Sequence, residues 1–509
     1  MTVSKDMLHY NSLDAACTLQ CHHAFWHDLA PDFLPAYDMT VALYEPLMFM
    51  QTRGIKVNME QMAVTKAEII KSAAGKQEEL NRLVGSELNV NSPKECQQYF
   101  YIELGIPPYY NDGSITVDDL ALQRLSRGTA KRPGLRQAKL VQEIRGLQKL
   151  HGTYLDIEFD NDSRMRCSYN PRGTKFGRLS SSKTVFGTGT NQQNLPQEFK
   201  KFLESDGIFL EIDKRQAEWV VVAYLTGDAN MLSVVEAGED THIHTAHLMF
   251  QAEKEIVAYD DKLIGGNTDP DLIAQLRQGD EFLSSRTANF PRTMSARQCG
   301  KKSNHGLNYD EGFAKFALIN EMEQRDAKVI VEMYHTIYPG IRLWYENVKR
   351  QLQKDRSLTN YFGRKVRFMD AWGLDLWKAA YSMLPQSTVV DSLNQGMVRI
   401  YHDADICGVD GQNISLAAQV HDSILLDIPI STIQRPDFGQ TVQRLYNYVS
   451  PEITYNNRTF RIETDAKIGR NWGGQNKDTN PLGMRGVKDW SKLPTILQEL
   501  GVANVQQGV

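Results

Sequence analysis

The sequence has little that would anchor it in a membrane or cross-link it. No window approaches the roughly 18 consecutive apolar residues of a membrane span, and the first residues have no signal-peptide-like apolar run. The six cysteines are scattered and form no CxxC pair, which predicts buried free thiols in a reducing compartment rather than disulfides. Internal repeats and low-complexity stretches are also missing. We therefore expect a folded cytoplasmic protein without membrane association.

An excess of positive charge is missing too. Lys and Arg number 57 against 62 Asp and Glu, which gives a net charge of −5. A uniformly basic nucleic-acid binder is thereby excluded, although a local basic strip is not. The 509 residues are enough for about three domains or one large multi-lobed enzyme.

Positive charge is concentrated between residues 124 and 149. This stretch has eight Lys and Arg residues, among them Arg132, Arg136 and Lys139, and one acid, Glu143. Such a run is either ordinary solvated surface or a strip that follows the phosphate backbone of a nucleic acid. The residues alone leave both interpretations open.

The periodicity predicts helices over residues 10–26 and 58–83, and a helix that starts at SPKE and ends near Gly105. There, Ser92 is the expected N-cap and Glu95 closes a capping box. Residues 207–216 alternate like a strand, and a second strand pattern surrounds residues 420–423. Residues 240–372 are mostly helical, and the segment after Trp472 is a polar tail with one short helix. We therefore predict an α+β protein in which a sheet supports a helical lobe.

Asp213 and Asp422 are the candidate catalytic residues. Asp213 ends one apolar strand, and Asp422 lies at the tip of a predicted hairpin. Each is by itself an ordinary turn or strand-end aspartate. If the two strands are neighbours, however, the carboxylates converge and can bind divalent metal ions such as Mg²⁺, which prefers oxygen ligands. Two such ions about 4 Å apart are typical of phosphoryl-transfer enzymes.

The segment RQCGKKSNHGLNY has a basic residue or a tyrosine every fourth position. Arg297, Lys301, His305 and Tyr309 would share one helical face. Because like charges at this spacing repel, the face favours an anionic ligand such as phosphate. His242, His244 and His247 do not have the spacing of a zinc site, and a phosphate contact by one of them fits better.

These segments together resemble the polymerase module of the family A DNA polymerases, the group of bacterial DNA polymerase I and many phage replicative enzymes. The motifs occur in the family's order, and the resemblance runs from about residue 34 to Trp472. The matching segments are TKFGRLSS (174–181), NQQNLP (191–196), DKRQAEW (213–219), GEDTH (238–242), RQCGKKSNHGLNY (297–309), YFGRKVRF (361–368), LPQSTVVD (384–391) and QVHDS (419–423).

The resemblance implies a role for each matching residue. Asp213 and Asp422 would bind two Mg²⁺ ions, and Lys301 would also be the acid for the leaving pyrophosphate. Residues expected at the dNTP are Arg297, Lys301, His305, Tyr309, Glu218, Gln216 and His242, of which Glu218 would exclude a ribose 2′-hydroxyl. Residues expected at primer, template or minor groove are Arg178, Asn194, Lys378, Gln386 and His421, joined by Arg132, Arg136 and Lys139 of the basic run.

The sequence departs from the family pattern at several of these positions. Lys214 and Arg215 replace Tyr-Ser after the first aspartate, and His305 replaces an aromatic residue that stacks on the nucleotide. Asp310 and Ser387 each replace a glycine. Ser423 replaces a glutamate beside Asp422, which puts metal affinity in question.

The resemblance also implies a right-hand architecture. We expect the end of an exonuclease domain at 1–32 and palm segments at 33–57, 153–224 and 371–475. The thumb is expected at 58–152, the fingers at 225–370 and a C-terminal tail at 476–509. The expected function is template-directed addition of dNTPs to a primer 3′-hydroxyl during DNA replication, in a bacterial cell or a phage-infected host.

Two alternatives remain from the residues alone. A single-subunit RNA polymerase shares the aspartates and the Arg-Lys helix, whereas Glu218 and the SPKE segment argue against it. A degenerate polymerase kept as a DNA-binding protein is suggested by Ser423, His305 and Asp310.

A last expectation concerns proofreading. Tyr10 and Asp14 match the final exonuclease motif of the family, but this motif begins at residue 10, so nothing upstream is expected to supply the other exonuclease carboxylates. We expect no intrinsic 3′→5′ exonuclease activity, and expect a separate polypeptide to supply it by docking on residues 1–32.

Overall fold

The computed structural model describes residues 5–26, 31–111, 113–129, 132–320, 322–408 and 413–502. In chain order, the α-helices are α1 Lys5–Trp26, α2 Leu34–Ala42, α3 Tyr44–Arg53, α4 Met59–Val84, α5 Pro93–Gln97, α6 Asp119–Arg127, α7 Arg136–Lys149, α8 Gln197–Lys200, α9 Ala217–Thr226, α10 Ala229–Glu236, α11 Thr241–Phe250, α12 Lys254–Ile264, α13 Pro270–Gly279, α14 Ala296–Gly306, α15 Phe313–Asn320, α16 Gln324–Ile337, α17 Pro339–Asp355, α18 Leu374–His402, α19 Ile430–Ile433, α20 Phe438–Val449 and α21 Leu493–Glu499.

Most strands are short. They are β1 Ile55–Val57, β2 Tyr109–Asn111, β3 Ser114–Thr116, β4 Gly128–Thr129, β5 Arg132–Pro133, β6 Arg164–Met165, β7 Ser168–Asn170, β8 Ser180–Ser182, β9 Leu203–Lys214, β10 Ser357–Thr359, β11 Lys365–Arg367, β12 Ser415–Val420, β13 Ser423–Ile428, β14 Ile453–Tyr455, β15 Arg458–Phe460, β16 Thr464–Asn471 and β17 Arg485–Gly486. Single turns of 3₁₀-helix include Gln192–Asn194 and Leu307–Tyr309, and π-helical turns extend α5 and α7 to Glu103 and Leu155.

A seven-stranded sheet forms the centre of the molecule, in the order β12-β13-β9-β1-β6 with β16 and β17 attached through β9. Strand β9 is its longest member. Both β13 and β16 pair with β9 in antiparallel register along overlapping stretches, so they lie on its two opposite edges. The condition stated from the sequence is therefore met, because the strand that carries Asp213 and the hairpin strand after Asp422 are neighbours.

The two faces of β9 enter different cores, as its alternating pattern predicts. Ile208, Leu210 and Ile212 pack in one apolar cluster together with residues of α3, α18 and α20. Phe209, on the opposite face, packs in another cluster with Trp472. Full burial of such side chains contributes about 1.5–3 kcal/mol each, so a one-residue register slip would be strongly disfavoured.

Two further cores belong to the helical parts. Residues from α9 to α18 form the largest cluster, centred on large side chains such as Tyr334 and Tyr338. Residues of α4, α5, α6 and α7 form a separate cluster around Phe100. The predicted start of α5 is confirmed, because Ser92 Oγ accepts a hydrogen bond from the Glu95 N–H, and the helix ends just before Gly105.

Three expectations about the periphery have different outcomes. All six cysteines are free, as predicted, but Cys17 and Cys21 are exposed on α1, so burial was wrong for these two. The segment expected as a tail packs onto the sheet, with Leu493 and Leu497 of α21 buried in the core. Within the described ranges no helix is both long and apolar enough to cross a membrane.

Candidate active site

The structure brings Asp213 and Asp422 to the same end of the sheet. Asp213 lies one residue before the end of β9, opposite Ser423 in the register. Asp422 lies in the two-residue turn between β12 and β13, where His421 adopts a positive φ of 51°. The Lys214 N–H donates to the Asp422 carbonyl at 3.0 Å, which fixes the turn against β9. The predicted hairpin and the convergence of the two carboxylates are therefore present.

Both carboxyl groups have pKa values above their usual range. Burial, with Glu211, Asp422 and Asp465 nearby and Lys467 opposing, raises the pKa of Asp213 to about 6. Burial also raises the pKa of Asp422. Its Oδ1 atom is buried and accepts no hydrogen bond within the described chain. A buried carboxylate oxygen without a hydrogen-bond donor is costly, and the Arg178 guanidinium is only at 3.9 Å, so this end of the sheet favours a further cation.

The residues present fit divalent metal ions on these grounds. Asp213 and Asp422 supply oxygen ligands, and the Oδ1 atom of Asp422 is available. The described residues contain no group of three or more His, Cys, Asp or Glu side chains arranged as a metal site. Mg²⁺ commonly uses only one or two carboxylates and completes its shell with water and substrate phosphate.

Glu211 is a site residue that the sequence analysis missed. It points to the same face of β9 as Asp213 and is 9% exposed. Its Oε2 atom accepts from Lys467 Nζ at 3.2 Å, and its Oε1 atom accepts from Trp472 Nε1 at 3.3 Å and from Ser423 Oγ at 3.5 Å. The available signal was its i, i+2 spacing from Asp213. The family pattern has a glutamate at position 423. In this chain the Glu211 carboxylate approaches the Ser423 hydroxyl from the neighbouring strand instead.

Glu218 connects several predicted residues. Arg178 Nη2 donates to Glu218 Oε1 at 2.6 Å and lies 3.9 Å from Asp422 Oδ1. The Tyr309 hydroxyl donates to the other oxygen, Glu218 Oε2. Burial, followed by the nearby Glu218 charge, raises the pKa of Tyr309 far above its usual range, so the hydroxyl keeps its proton. Glu218 is therefore fixed from both sides, in the first turn of α9 and five residues after Asp213.

Arg297 begins the basic face on α14. Its guanidinium donates to Asp240 Oδ2 at 2.8 Å and lies 3.5 Å from Asp261. The other oxygen of Asp240 caps α11 by accepting the backbone N–H groups of His242 and Ile243. Lys301, one turn along α14, is exposed. The Gln216 side chain accepts from the Thr241 N–H at 3.0 Å, so it also fixes the start of α11.

His242 and His305 face each other across α11 and α14, with ring centroids 6.0 Å apart. Burial lowers the pKa of His242 to about 4, so its ring is neutral at pH 7. The Asn304 amide lies 3.1 Å from His242 Nδ1. If Nδ1 accepts this hydrogen bond, Nε2 holds the proton and is a donor. Tyr309 lies on the 3₁₀ turn after α14, where its hydroxyl donates to Glu218.

The residues expected at the nucleic acid lie on several elements. Asn194 and His421 are exposed on neighbouring turns, and Gln193 joins them, because its Oε1 atom accepts the His421 N–H at 3.0 Å. Gln193 was not predicted, although it lies inside the NQQNLP motif. Lys378 and Gln386 are half-buried, two turns apart on α18.

Several side chains of the basic run already have partners within the protein. Glu143 was expected as its sole acid, but Arg136 also pairs with Glu79 of α4, at 3.0 Å. Arg145 donates to the backbone carbonyls of Val90 and Val117. Lys139 is exposed and Arg132 is half-buried. The error arose because helices distant in sequence supply partners that a linear charge count omits.

Two departures from the family pattern have local explanations. Asp310 adopts a positive φ of 59°, which glycine prefers but aspartate tolerates, and its N–H donates to the Tyr345 hydroxyl at 2.9 Å. Ser387 is fully buried, and its Oγ accepts from Asn360 Nδ2 at 3.0 Å.

Comparisons with known proteins agree with this geometry. The family model described as DNA polymerase family A matches residues 59–262 and 268–474. The chain belongs to family A. It is 24% identical to the thermostable DNA polymerase I of Thermus aquaticus over 448 residues, covering 84% of this chain and 46% of that protein. It is 26% identical to DNA polymerase I of Lactococcus lactis over 461 residues, covering 86% and 45% respectively.

A solved structure supports the fold. The polymerase domain of Pol1 from M. smegmatis, in complex with DNA primer-template and dNTP, matches with a TM-score of 0.67 and 20% identity, over 85% of this chain and 70% of that one. The right-hand α+β fold predicted from sequence is therefore confirmed. The family A chain described here spans less than half the length of the curated relatives it matches.

Proposed function

We propose that this chain is a template-directed DNA polymerase that adds dNTPs to a primer 3′-hydroxyl. The main support is the placement of Asp213 and Asp422 at the same end of the sheet, with raised pKa values and a buried Asp422 oxygen that accepts no hydrogen bond within the described chain. The family A membership supports the same reaction. The wider DNA replication role is part of this proposal.

We assign the parts of the right hand as follows. The central sheet around β9, β12 and β13 is the palm, the helices from α10 to α17 are the fingers, and the helices from α4 to α7 are the thumb. The thumb has its own core around Phe100, which supports its division from the palm, since units with their own core can move relative to each other. The fingers share the largest cluster with α9 and α18. Primer-template DNA would lie between thumb and palm.

The site residues then have defined tasks. When bound, two Mg²⁺ ions would lower the pKa of the primer hydroxyl and neutralise triphosphate charge. Asp213 and Asp422 hold them, and Arg297 and Lys301 bind the triphosphate. Lys301 also protonates the leaving pyrophosphate. His242 donates from Nε2 to a phosphate oxygen, and His305 lies beside the incoming nucleotide.

The remaining contacts orient the nucleic acid and the sugar. Glu218, held by Arg178 and Tyr309, occupies the space that a ribose 2′-hydroxyl would need, and Gln216 fixes the start of α11 nearby. The residues proposed to contact primer, template or minor groove are Arg178, Asn194, Lys378, Gln386 and His421. Thumb residues Arg132 and Lys139 contact the duplex backbone, whereas the ion pairs of Arg136 reduce its contribution.

The decisive experiment replaces each metal-binding carboxylate. Asp213→Asn and Asp422→Asn should each slow single-nucleotide extension more than about a hundredfold, because losing a metal site costs several kcal/mol of transition-state stabilisation. Affinity for primer-template, measured by fluorescence anisotropy, should stay near wild type. Asp465→Asn, on the adjacent strand, is the matched control. Extension by either test variant at more than about a hundredth of the normal rate would refute the assignment.

We also propose that this chain has no proofreading activity and that a separate exonuclease polypeptide docks on α1. Asp14 is exposed, and no residue of α1 is buried. The helix exposes Met7, Leu8, Tyr10, Leu13, Leu19 and Phe25, which suits a protein partner better than water. The terminal parts of the expected docking segment, residues 1–4 and 27–30, lie outside the described residues.

A further inference from the structure

The loop of residues 183–190, between β8 and the 3₁₀ turn at Gln192–Asn194, is tightly built. Its ends are joined because Ser181 Oγ donates to Asn191 Oδ1 at 2.8 Å. Across its middle, the Thr184 N–H donates to the Thr188 carbonyl and the Gly187 N–H donates to the Thr184 carbonyl, both at 3.0 Å. The two threonine hydroxyls are also hydrogen-bonded to each other, at 2.8 Å.

The base of this loop is fixed to the rest of the protein. Thr188 Oγ1 donates to Asp160 Oδ1 at 3.0 Å, and the Gly189 N–H donates to the Glu158 carbonyl at 2.8 Å. Gly189 has a φ of 70°, and a Cβ atom there would lie 1.8 Å from the Arg166 carbonyl oxygen. The loop is therefore held closely against the segment that joins the proposed thumb to the sheet.

The tip of the loop exposes two large apolar side chains. Val185 is 88% and Phe186 is 86% exposed, the highest values among the large apolar residues of the described chain. A single exposed apolar residue needs no explanation. Two adjacent ones on a fixed loop, without a neighbour to cover either, suggest a surface that is completed by a ligand.

The surroundings of the tip favour nucleic acid as that ligand. The loop has no acidic residue, and it has Lys183, a residue type that commonly contacts phosphate. The loop begins five residues after Arg178 and ends four residues before Asn194, so two proposed duplex contacts flank it. Apolar side chains such as phenylalanine can lie in the minor groove or wedge between base pairs.

We propose that Val185 and Phe186 form an apolar contact with the primer-template duplex, in the minor groove behind the primer end. This inference rests on the proposed polymerase function. Because the loop is already ordered, little conformational entropy is lost when it binds. An apolar contact displaces no counterions, so it adds affinity without changing the salt dependence of binding.

The test measures duplex affinity and extension for the double variant Val185→Ser/Phe186→Ser, with Leu343→Ser as an exposed apolar control outside the proposed site. The tip variant should bind primer-template about tenfold more weakly, with the slope of log Kd against log salt unchanged. Lys183→Ala should instead reduce that slope. An affinity within twofold of wild type, or an equal loss in Leu343→Ser, would overturn the proposal.

A photocrosslink tests where the loop tip contacts the duplex. A benzophenone amino acid at position 186 should label the duplex within about one helical turn, roughly 10 base pairs, of the primer end. Labelling only of the single-stranded template, or none, would overturn the proposal. At saturating duplex the tip variant should still extend primers. If the chain with benzophenone at position 186 crosslinks as expected but the wild-type chain fails to extend primers, the proposed function alone is refuted.

Discussion

In the proposed function, sugar selection depends on how firmly the Glu218 carboxylate is held. Arg178 and Tyr309 each donate to a different oxygen of Glu218, so the side chain cannot easily rotate away from a ribose 2′-hydroxyl. Glu218→Ala should raise ribonucleotide incorporation relative to dNTP incorporation by at least about tenfold. Tyr309→Phe, which removes one hydrogen bond and keeps the ring, should have a smaller effect in the same direction.

Competing single-nucleotide insertion with dNTP and NTP measures this selectivity. Unchanged discrimination in Glu218→Ala would show that another residue excludes ribose. A chain that prefers NTPs even as wild type would favour the single-subunit RNA polymerase alternative.

The contact between Ser423 and Glu211 leads to a second prediction at this scale. A glutamate at 423 would enter the space beside Glu211, so Ser423→Glu should slow extension and destabilise the protein by about 1–3 kcal/mol through overpacking and charge repulsion. Adding Glu211→Ser should restore much of the extension rate and of the stability, because one carboxylate then remains in this space. Ser423→Ala should change little, since it removes a long hydrogen bond only.

Extension rates and denaturant unfolding of the wild type, Ser423→Glu, Glu211→Ser and the double variant form a double-mutant cycle. Additive effects of the two substitutions would contradict a shared space.

At the scale of elements, a buried ion pair fixes the start of α14. Arg277 of α13 pairs with Asp260 of α12 at 2.8 Å, and their side chains are 8% and 0% exposed. Asp260 also accepts the Ala296 N–H, at the first residue of α14, and Arg277 donates to the Met294 carbonyl. The helix that presents Arg297 and Lys301 is thus anchored by a charge pair outside the site.

Arg277→Met should therefore destabilise this region by about 3–5 kcal/mol, because it leaves the Asp260 charge buried without its partner. It should also raise KM for dNTP, since α14 loses its anchor. Hydrogen exchange of peptides covering α12–α14 measures the first effect and steady-state kinetics the second. The exposed pair of Arg342 and Glu332 is the control, and Arg342→Met should cost less than about 1 kcal/mol.

What the sequence could predict follows from how local each signal is. The cap at Ser92, the alternation of β9 and the turn at Asp422 depend on neighbours within a few residues, and these were predicted correctly. The Glu211–Lys467 contact joins residues 256 positions apart, and Glu79 reaches Arg136 from another helix. Such pairs depend on strand order and helix packing, which periodicity does not specify.

At the scale of the whole molecule, α1 stands apart from the cores. None of its 22 residues is buried, so removing residues 1–32 should leave the primer extension rate within about twofold of the full chain. Rapid-quench extension assays on both chains measure this. A large loss of activity would show that this segment contributes to the polymerase itself and would weaken its proposed role as a docking site.

The proofreading proposal belongs to the same scale. Asp14 is exposed on α1, the described residues contain no group of three or more His, Cys, Asp or Glu side chains that could hold a metal ion, and one ligand cannot hold two ions for hydrolysis. Incubation of the chain with a 3′-mismatched primer, Mg²⁺ and no dNTPs should leave the primer at full length. Asp14→Ala should behave identically, and a proofreading polymerase is the positive control. Primer shortening that persists after repeated purification would contradict the proposal, and its loss in Asp14→Ala would place the activity on α1.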